Sequence, residues 1–303
     1  MPLDILSLGE PMVELNQGDG AHFRQGFGGD TSNVAIAAAR HGAKSGYLSA
    51  VGKDAFGDAL MELWSAEGVS TQNVTVDPGA STGVYFVTHD EHGHRFSYLR
   101  AGSAASRLCL TPQAREAIAG ARVLHLSAIS QAISLQMCDT CFEAIGTARE
   151  AGTLVSYDTN LRLALWPLPR AKAIIKETLS LCDIALPGHD DAMQITGLAD
   201  PDAIVDAFLG YGCGIVALTL GPDGAIVATP DQRRRIPTLQ VKAVDATGAG
   251  DAFDGAFLAE YLRLDDPFAA GEYACAAAAL STTGYGAVAP LPRRADVAAA
   301  IKR

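Results

Sequence analysis

The stretch with the most chemical content is Asp245-Ala-Thr-Gly248-Ala249-Gly250-Asp251, which runs into a helical pattern where Phe253, Phe257, Tyr261 and Leu262 recur on one face. Glycines at 248 and 250 let the backbone turn tightly and approach a ligand closely. The first amides of the following helix have no intrahelical partner, and the helix macrodipole makes their position favourable for negative charge. Such a turn suits a phosphoryl group whose charge shifts during transfer. Asp251 adds a carboxylate at the same spot. In a first turn it complements the dipole; beside an anion hole it can also take a proton from a hydroxyl as that oxygen attacks phosphorus. A cap does not need two glycines, so the Gly-Ala-Gly favours the second role.

The elements that must position this stretch alternate. Val123-Leu-His-Leu-Ser127 is a short apolar run, and a helical pattern over 134–150 stops at Gly152. Leu154-Val-Ser-Tyr-Asp158, a helix near 170–180, Cys182-Asp-Ile-Ala-Leu186, a helix near 201–209 and Ile215-Val-Ala-Leu-Thr-Leu220 follow. Apolar strands separated by helices predict βαβ units on a parallel sheet covered on both faces. Ligands in such sheets lie beyond the carboxyl ends of the strands. That singles out Ser127, the run from Asp158 to Arg162, and the run from Gly188 to Asp191. Residues 11–29 and 82–100 break the rhythm and read as strands of a small covering sheet. The second is a hairpin of Gly83-Val-Tyr-Phe-Val-Thr88 and Arg95-Phe-Ser-Tyr-Leu-Arg100, joined by His89-Asp-Glu-His-Gly-His94. The tip carries metal-ligating residue types, but a polar turn containing Gly93 is the simpler account.

The 303-residue chain is 49% hydrophobic and 19% charged, which suits a well-buried core. Its 34 acidic against 23 basic residues argue against nucleic acid or an anionic membrane as partner. Six scattered cysteines do not form a secreted disulfide framework, and Cys138 and Cys141 read as two thiols one turn apart on a packed helix. Neither a signal-peptide pattern nor an apolar run of the ~18 residues that span a bilayer is seen, so a cytoplasmic protein is expected. No third glycine follows Gly248-Ala-Gly250 at the dinucleotide-fold position. Walker, protein-kinase, G-x-S-x-G and H-E-x-x-H signatures are all lacking.

Asp245 to Asp251 resembles the C-terminal signature of the ribokinase-like (PfkB) carbohydrate kinases. The N-terminal signature is matched by Gly28-Gly-Asp-Thr-Ser-Asn-Val-Ala35 and by Val51-Gly-Lys-Asp-Ala-Phe-Gly-Asp58. The likeness runs from the first strand to Pro292. It implies an α/β, ribokinase-like fold over 1–303 as a single domain, with a central, mostly parallel sheet flanked by helices. A small β-sheet lid would come from about 11–29 and 82–100. It implies ATP and Mg2+, with Asp251 as the base and the backbone of Gly248, Ala249 and Gly250 as the anion hole. Thr219-Leu-Gly221-Pro-Asp-Gly224 and Gly286-Ala287-Val-Ala-Pro-Leu-Pro292 match the nucleotide-side loops. Lid sheets in this family often pair, so a homo-oligomer through the lid is a further implication. Asn-x-x-Glu, which organises metal and water in the family, is replaced by Gly188-His-Asp-Asp191, leaving Asp191 as an outer Mg2+ group. Pro290 stands where a potassium-binding Ser is common, so the likeness does not extend to monovalent-cation activation.

Gly9-Glu-Pro11, Gly28-Gly-Asp-Thr31, Tyr98-Leu-Arg-Ala-Gly-Ser-Ala104 and Asp158-Thr-Asn-Leu-Arg162 resemble 2-keto-3-deoxygluconate kinases. In that subfamily the positions of Tyr85, Tyr98, Arg100 and Arg162 contact the sugar acid. A carboxylate benefits from guanidinium forks, and two arginines can converge on it. Gly29, Asp30 and Asn33 are expected at sugar hydroxyls, with a helix N-cap as the other account of Asn33. The expected reaction is phosphorylation of the terminal hydroxyl of 2-keto-3-deoxygluconate, a small-molecule sugar acid. The alternatives are a fructokinase or ribokinase acting on a neutral sugar, and a catalytically silent nucleotide- or sugar-binding regulator.

Overall fold

The computed structural model describes residues 2–18, 20–90 and 93–302. Three strands, β1 (Ile5–Leu8), β4 (Ser45–Gly52) and β8 (Val123–Ser127), are buried at every residue. That is the pattern of strands covered on both faces. With β5 (Ser70–Asp77), β9 (Leu154–Asp158), β10 (Ile184–Ala185) and β11 (Ile215–Thr219) they pair in parallel, and β12 (Ala225–Ala228) and β13 (Arg233–Ile236) add an antiparallel edge. The nine-stranded order is β13-β12-β11-β10-β9-β8-β1-β4-β5. β10 is shorter than the expected run of Cys182 to Leu186, although the Leu186 amide still donates to the Tyr157 carbonyl beyond its end.

Side chains alternate between the faces, as the strand period requires. Leu6, Leu8, Leu124 and Leu126 meet α3 (Pro112–Gly120), α5 (Leu135–Ala151), α6 (Leu168–Leu179), α7 (His189–Thr196) and α8 (Pro201–Tyr211). Ile5, Val123 and Ile184 meet α1 (Asp30–Arg40), α9 (Ala249–Leu264), α10 (Pro267–Ser281) and α11 (Arg294–Ile301). Ser134 caps α5 by accepting from the Met137 amide, and Gly152 ends it with φ +76°. Cys138 and Cys141 are buried and free on that helix, as packing thiols would be.

A second sheet has the order β3-β2-β6-β7, from β2 (Met12–Gln17), β3 (Phe23–Gly28), β6 (Gly83–Asp90) and β7 (Gly93–Leu99). Two antiparallel hairpins are joined by a parallel β2–β6 pairing. Val13, Val84, Phe27 and Phe86 bind one face of this lid to a core that includes Trp64 of α2 (Ala55–Ala66). Met12, Tyr85 and Val87 cluster separately on the other face. Glu91 and His92 of the hairpin tip lie outside the described residues, as do the side chains around them, so the metal alternative for that tip does too. Among the described residues no helix is long and apolar enough to cross a membrane.

Candidate active site

The carboxyl ends of β1, β9, β10 and β11, the lid, and the starts of α1 and α9 enclose a cavity of about 820 Å3. Both helices enter through a left-handed glycine. Gly29 has φ +99°, and a Cβ there would lie 2.4 Å from the Glu10 carbonyl oxygen. Gly248 has φ +76°, and its Cβ would press on Ala287 at 3.0 Å. A Cβ on Gly250 would meet nothing within 4 Å, so this face of the α9 first turn is open to the cavity. An anion can therefore approach the backbone there.

Asp251 sits in that first turn and is only 8% exposed. Asn33 Nδ2 donates to its Oδ2 at 2.8 Å. Burial, and then the neighbouring Asp30, push the Asp251 carboxyl up to about 7, against the Asn33 hydrogen bond and the Arg162 charge. Asn33 is not an N-cap: that position belongs to Gly29, and the Asn33 amide already donates to the Gly29 carbonyl within α1. Asp30 accepts from Asn160 Nδ2 through Oδ2, while its buried Oδ1 lacks a partner. Asp158 and Asp254 line the same cavity; burial raises both carboxyls, Asp30 and then Asp251 raise Asp158 further, and Asp158 and then Asp251 raise Asp254. Asp254 Oδ2 is buried without a partner.

On the lid side, Tyr85 and Tyr98 are directly paired across β6 and β7, with ring centroids 6.0 Å apart. The Tyr85 hydroxyl donates to Glu14 Oε2 at 2.5 Å, whereas Tyr98 is half-exposed over the cavity. Arg100 is largely buried. It follows the end of β7, forms an ion pair with the fully buried Glu10, and stacks over Tyr98 with Cζ 5.9 Å from the ring centroid. Arg162 is looser: Nη1 donates to the Leu161 carbonyl at 2.9 Å and lies 3.9 Å from Asp191 Oδ2, with 53% of the side chain exposed. The Asp191 Oδ2 accepts from the Leu161 amide at 2.8 Å, and burial raises its pKa against the pull of that bond and of Arg162. Glu10 and Asp254 carry no role in the sequence reading, and Asn160 enters it only as part of the run from Asp158 to Arg162. Glu10 stands just past the end of β1, where the strand-end rule applied to later strands would have found it. Asp254 follows Asp251 by three residues, which places both on one helix face.

A second cavity of about 310 Å3 joins the first along Thr219, Ala246, Ala249 and Gly250. It is mainly apolar, with Leu239, Val241, Phe253 and Ala278 among its walls, and Gly221 and Gly224 at one side. Gly224 has φ +89°, and a Cβ there would collide with the Ile236 carbonyl at 2.0 Å. Asp245 ties two loops together, accepting from the Thr247 amide and hydroxyl through Oδ1 and from the Gly286 amide through Oδ2. Gly286 lines neither cavity, whereas Ala287 lines the larger one. A flat apolar slot that opens onto a helix N-terminus can take a base at one end and phosphates at the other.

The sequence profile described as pfkB family carbohydrate kinase matches residues 4–294. The chain belongs to that family. It is a carbohydrate kinase, with the family's mostly parallel sheet and small second sheet. It is similar to the 2-dehydro-3-deoxygluconokinase of Thermoproteus tenax, with 33% identity over 97% of this chain and 93% of the other. It is equally similar to the probable fructokinase-5 of Arabidopsis thaliana, at 34% identity over 96% and 95%. Among solved structures, the putative ribokinase II of E. coli in complex with ATP and Mg2+ superposes with a TM-score of 0.90, at 25% identity over 99% of each chain. For a pfkB kinase, no three His, Cys, Asp or Glu side chains among the described residues are grouped closely enough to hold a metal unaided. Mg2+ commonly completes its shell with water and substrate phosphates. The partnerless Asp254 oxygen beside Asp158 is compatible with such a shared cation.

Proposed function

We propose that this kinase transfers the γ-phosphoryl group of ATP to the terminal hydroxyl of a sugar acid, 2-keto-3-deoxygluconate, giving the 6-phosphate. The observation that carries the kinase chemistry is Asp251, buried and oriented by Asn33, next to the open backbone at Gly250. ATP lies with its base in the apolar slot of Thr219, Gly221 and Gly224 and its γ-phosphate at the Gly248–Gly250 turn. Asp251 accepts the hydroxyl proton, the freed oxygen attacks the γ-phosphorus in line, and ADP leaves. Mg2+, when bound, would neutralise phosphate charge, held by Asp158 and Asp254 directly or through water, with Asp191 further out. Gly29, Asp30, Asn33 and Asn160 face sugar hydroxyls, and the lid strands exclude water over the site.

Support for an acid substrate comes from Arg162, whose guanidinium is half-exposed at the cavity and only loosely engaged by Asp191. A neutral-sugar reading has its own support, since Arg100, the other candidate for the carboxylate, is already paired with Glu10. A coupled ADP-release assay over 2-keto-3-deoxygluconate, fructose and ribose separates them. The acid is expected to give the highest kcat/KM. Arg162→Ala is expected to lower kcat/KM for the acid about ten-fold or more, the worth of one charge-assisted hydrogen bond, and to leave fructose little changed. Preference for fructose with no effect of that substitution would replace the acid by a neutral sugar. No ADP release with any of them would favour a silent binding protein.

A further inference from the structure

The lid joins the body where four stretches of chain cross, and one residue, through its backbone or its side chain, stands at all of them. Glu10 precedes the first crossing, into β2 at Met12. At the second, between β3 and α1, a Cβ on Gly29 would strike the Glu10 carbonyl oxygen at 2.4 Å. At the third, where β6 begins, a Cβ on Gly83 would stand 3.0 Å from Glu10 Oε1. At the fourth, past β7, Glu10 Oε2 pairs with Arg100 and Oε1 accepts from the Ser103 hydroxyl. Ser103 is itself fixed, accepting from the Ser106 amide at 3.3 Å.

The Glu10 side chain is fully buried, and that of Arg100 is 13% exposed. Both line the larger cavity, and Arg100 Nε is a buried donor with no partner. The guanidinium group therefore borders the cavity while much of its positive charge is cancelled from behind by Glu10. An ion pair removed from water interacts far more strongly than an exposed one, so the cancellation is not washed out by solvent.

We propose that Glu10 is a positioning residue that fixes Arg100 at the root of the lid and, by compensating its charge, sets how strongly the site prefers charged over neutral sugars. This rests on the sugar-kinase reading above, but not on which sugar the wild-type protein prefers. Among the described residues Glu10 is the acid that forms an ion pair with Arg100, so its charge bears most directly on how much of the cation a ligand meets.

The test is the ratio of kcat/KM for 2-keto-3-deoxygluconate to that for fructose, in wild type, Glu10→Gln and Arg100→Gln. Glutamine keeps the size of Glu10 and an oxygen for Ser103 and Arg100 but removes the charge. The ratio is expected to rise about ten-fold in Glu10→Gln, carried by a lower KM for the acid, since one charge-assisted contact is worth about that much. In Arg100→Gln the Glu10 carboxylate is left uncompensated behind the cavity, and the ratio is expected to fall by a similar factor. Dissociation constants for the two sugars from titration calorimetry give the same ratio independently of turnover. If both substitutions depress both sugars by one common factor, Glu10 merely props the lid and the proposal is wrong. Should Glu10→Gln fail to fold, Glu10→Asp, which draws the carboxylate back from Arg100, is expected to raise the ratio in the same direction, and an unchanged ratio there would overturn the proposal. The wild-type ratio judges the substrate reading, and the change in that ratio judges this one.

Discussion

The starts of α1 and α9 are built alike and used differently. Each is entered through a positive-φ glycine, each has an aspartate in its first turn, and neither glycine supplies a side-chain cap. The first turn of α1 is then filled with side chains. Thr31 bonds the Tyr47 hydroxyl, Ser32 accepts from the Trp64 indole, Asn33 reaches Asp251, and Asp30 takes Asn160. The first turn of α9 is left bare at Gly250. A dipole end crowded with fixed side chains has directional groups for hydroxyls but no room for a phosphate. A bare one accepts an anion and reads nothing about its shape. Asn33 couples the two, since it belongs to α1 and holds the carboxylate of α9.

The comparison is broken most severely at Asp251. Asp251→Asn is expected to lower kcat by 10²-fold or more, on the scale of general-base contributions, with KM for ATP nearly unchanged; steady-state ADP release measures both. Near-full activity would leave the base unassigned and reduce α9 to an anion site. Next is the bare turn itself. Gly250→Val places a branched side chain in the open space, so kcat/KM for ATP should fall about as far as for loss of an oxyanion-hole donor, ~10²-fold. Gly248→Ala gives the opposite profile. It strains a left-handed position and presses on Ala287, costing about 1–2 kcal/mol of stability in denaturant unfolding.

The smallest effect sharpens the coupling. The Asn33 hydrogen bond lowers the Asp251 pKa, so Asn33→Ala should move the acid limb of the kcat profile above about 7, because the base works only when deprotonated. Activity then drops several-fold at pH 7 and returns by about pH 9, a recovery that simple loss of packing would not give. The same raised pKa acts on stability with the other sign. Between the ordinary aspartate value of 3.8 and about 7 the folded, ligand-free protein holds a proton that the unfolded chain has released. This contribution is complete below about pH 4 and is lost as pH rises through 7.

Local pattern made much of this legible. The runs Val123 to Ser127 and Leu154 to Asp158 are strands with those same ends, and the strands of the small sheet fall within 11–29 and 82–100, where alternation and turn residues placed them. Asp251 and its glycines were readable because their chemistry is contiguous in the chain. The hydrogen bond between Asn33 and Asp251 spans 218 positions, and the contact between Glu10 and Ser103 spans 93. No periodicity encodes such pairings. For that reason Asn33 could be read only as a cap or a hydroxyl ligand, and Arg100 only as a contact for the sugar acid. What decides each is a partner brought in by the fold.

The parallel pairing of β2 with β6 sets Met12 beside Gly83. Between those residues the chain runs through β3, α1, β4, α2 and β5, so pairing β2 with β6 closes a loop that contains part of the central sheet. Closing so long a loop is entropically costly and is repaid only by contacts the body supplies. The sheet over the cavity therefore depends on contacts between segments far apart in the chain, and its cohesion is tied to that of the body between them.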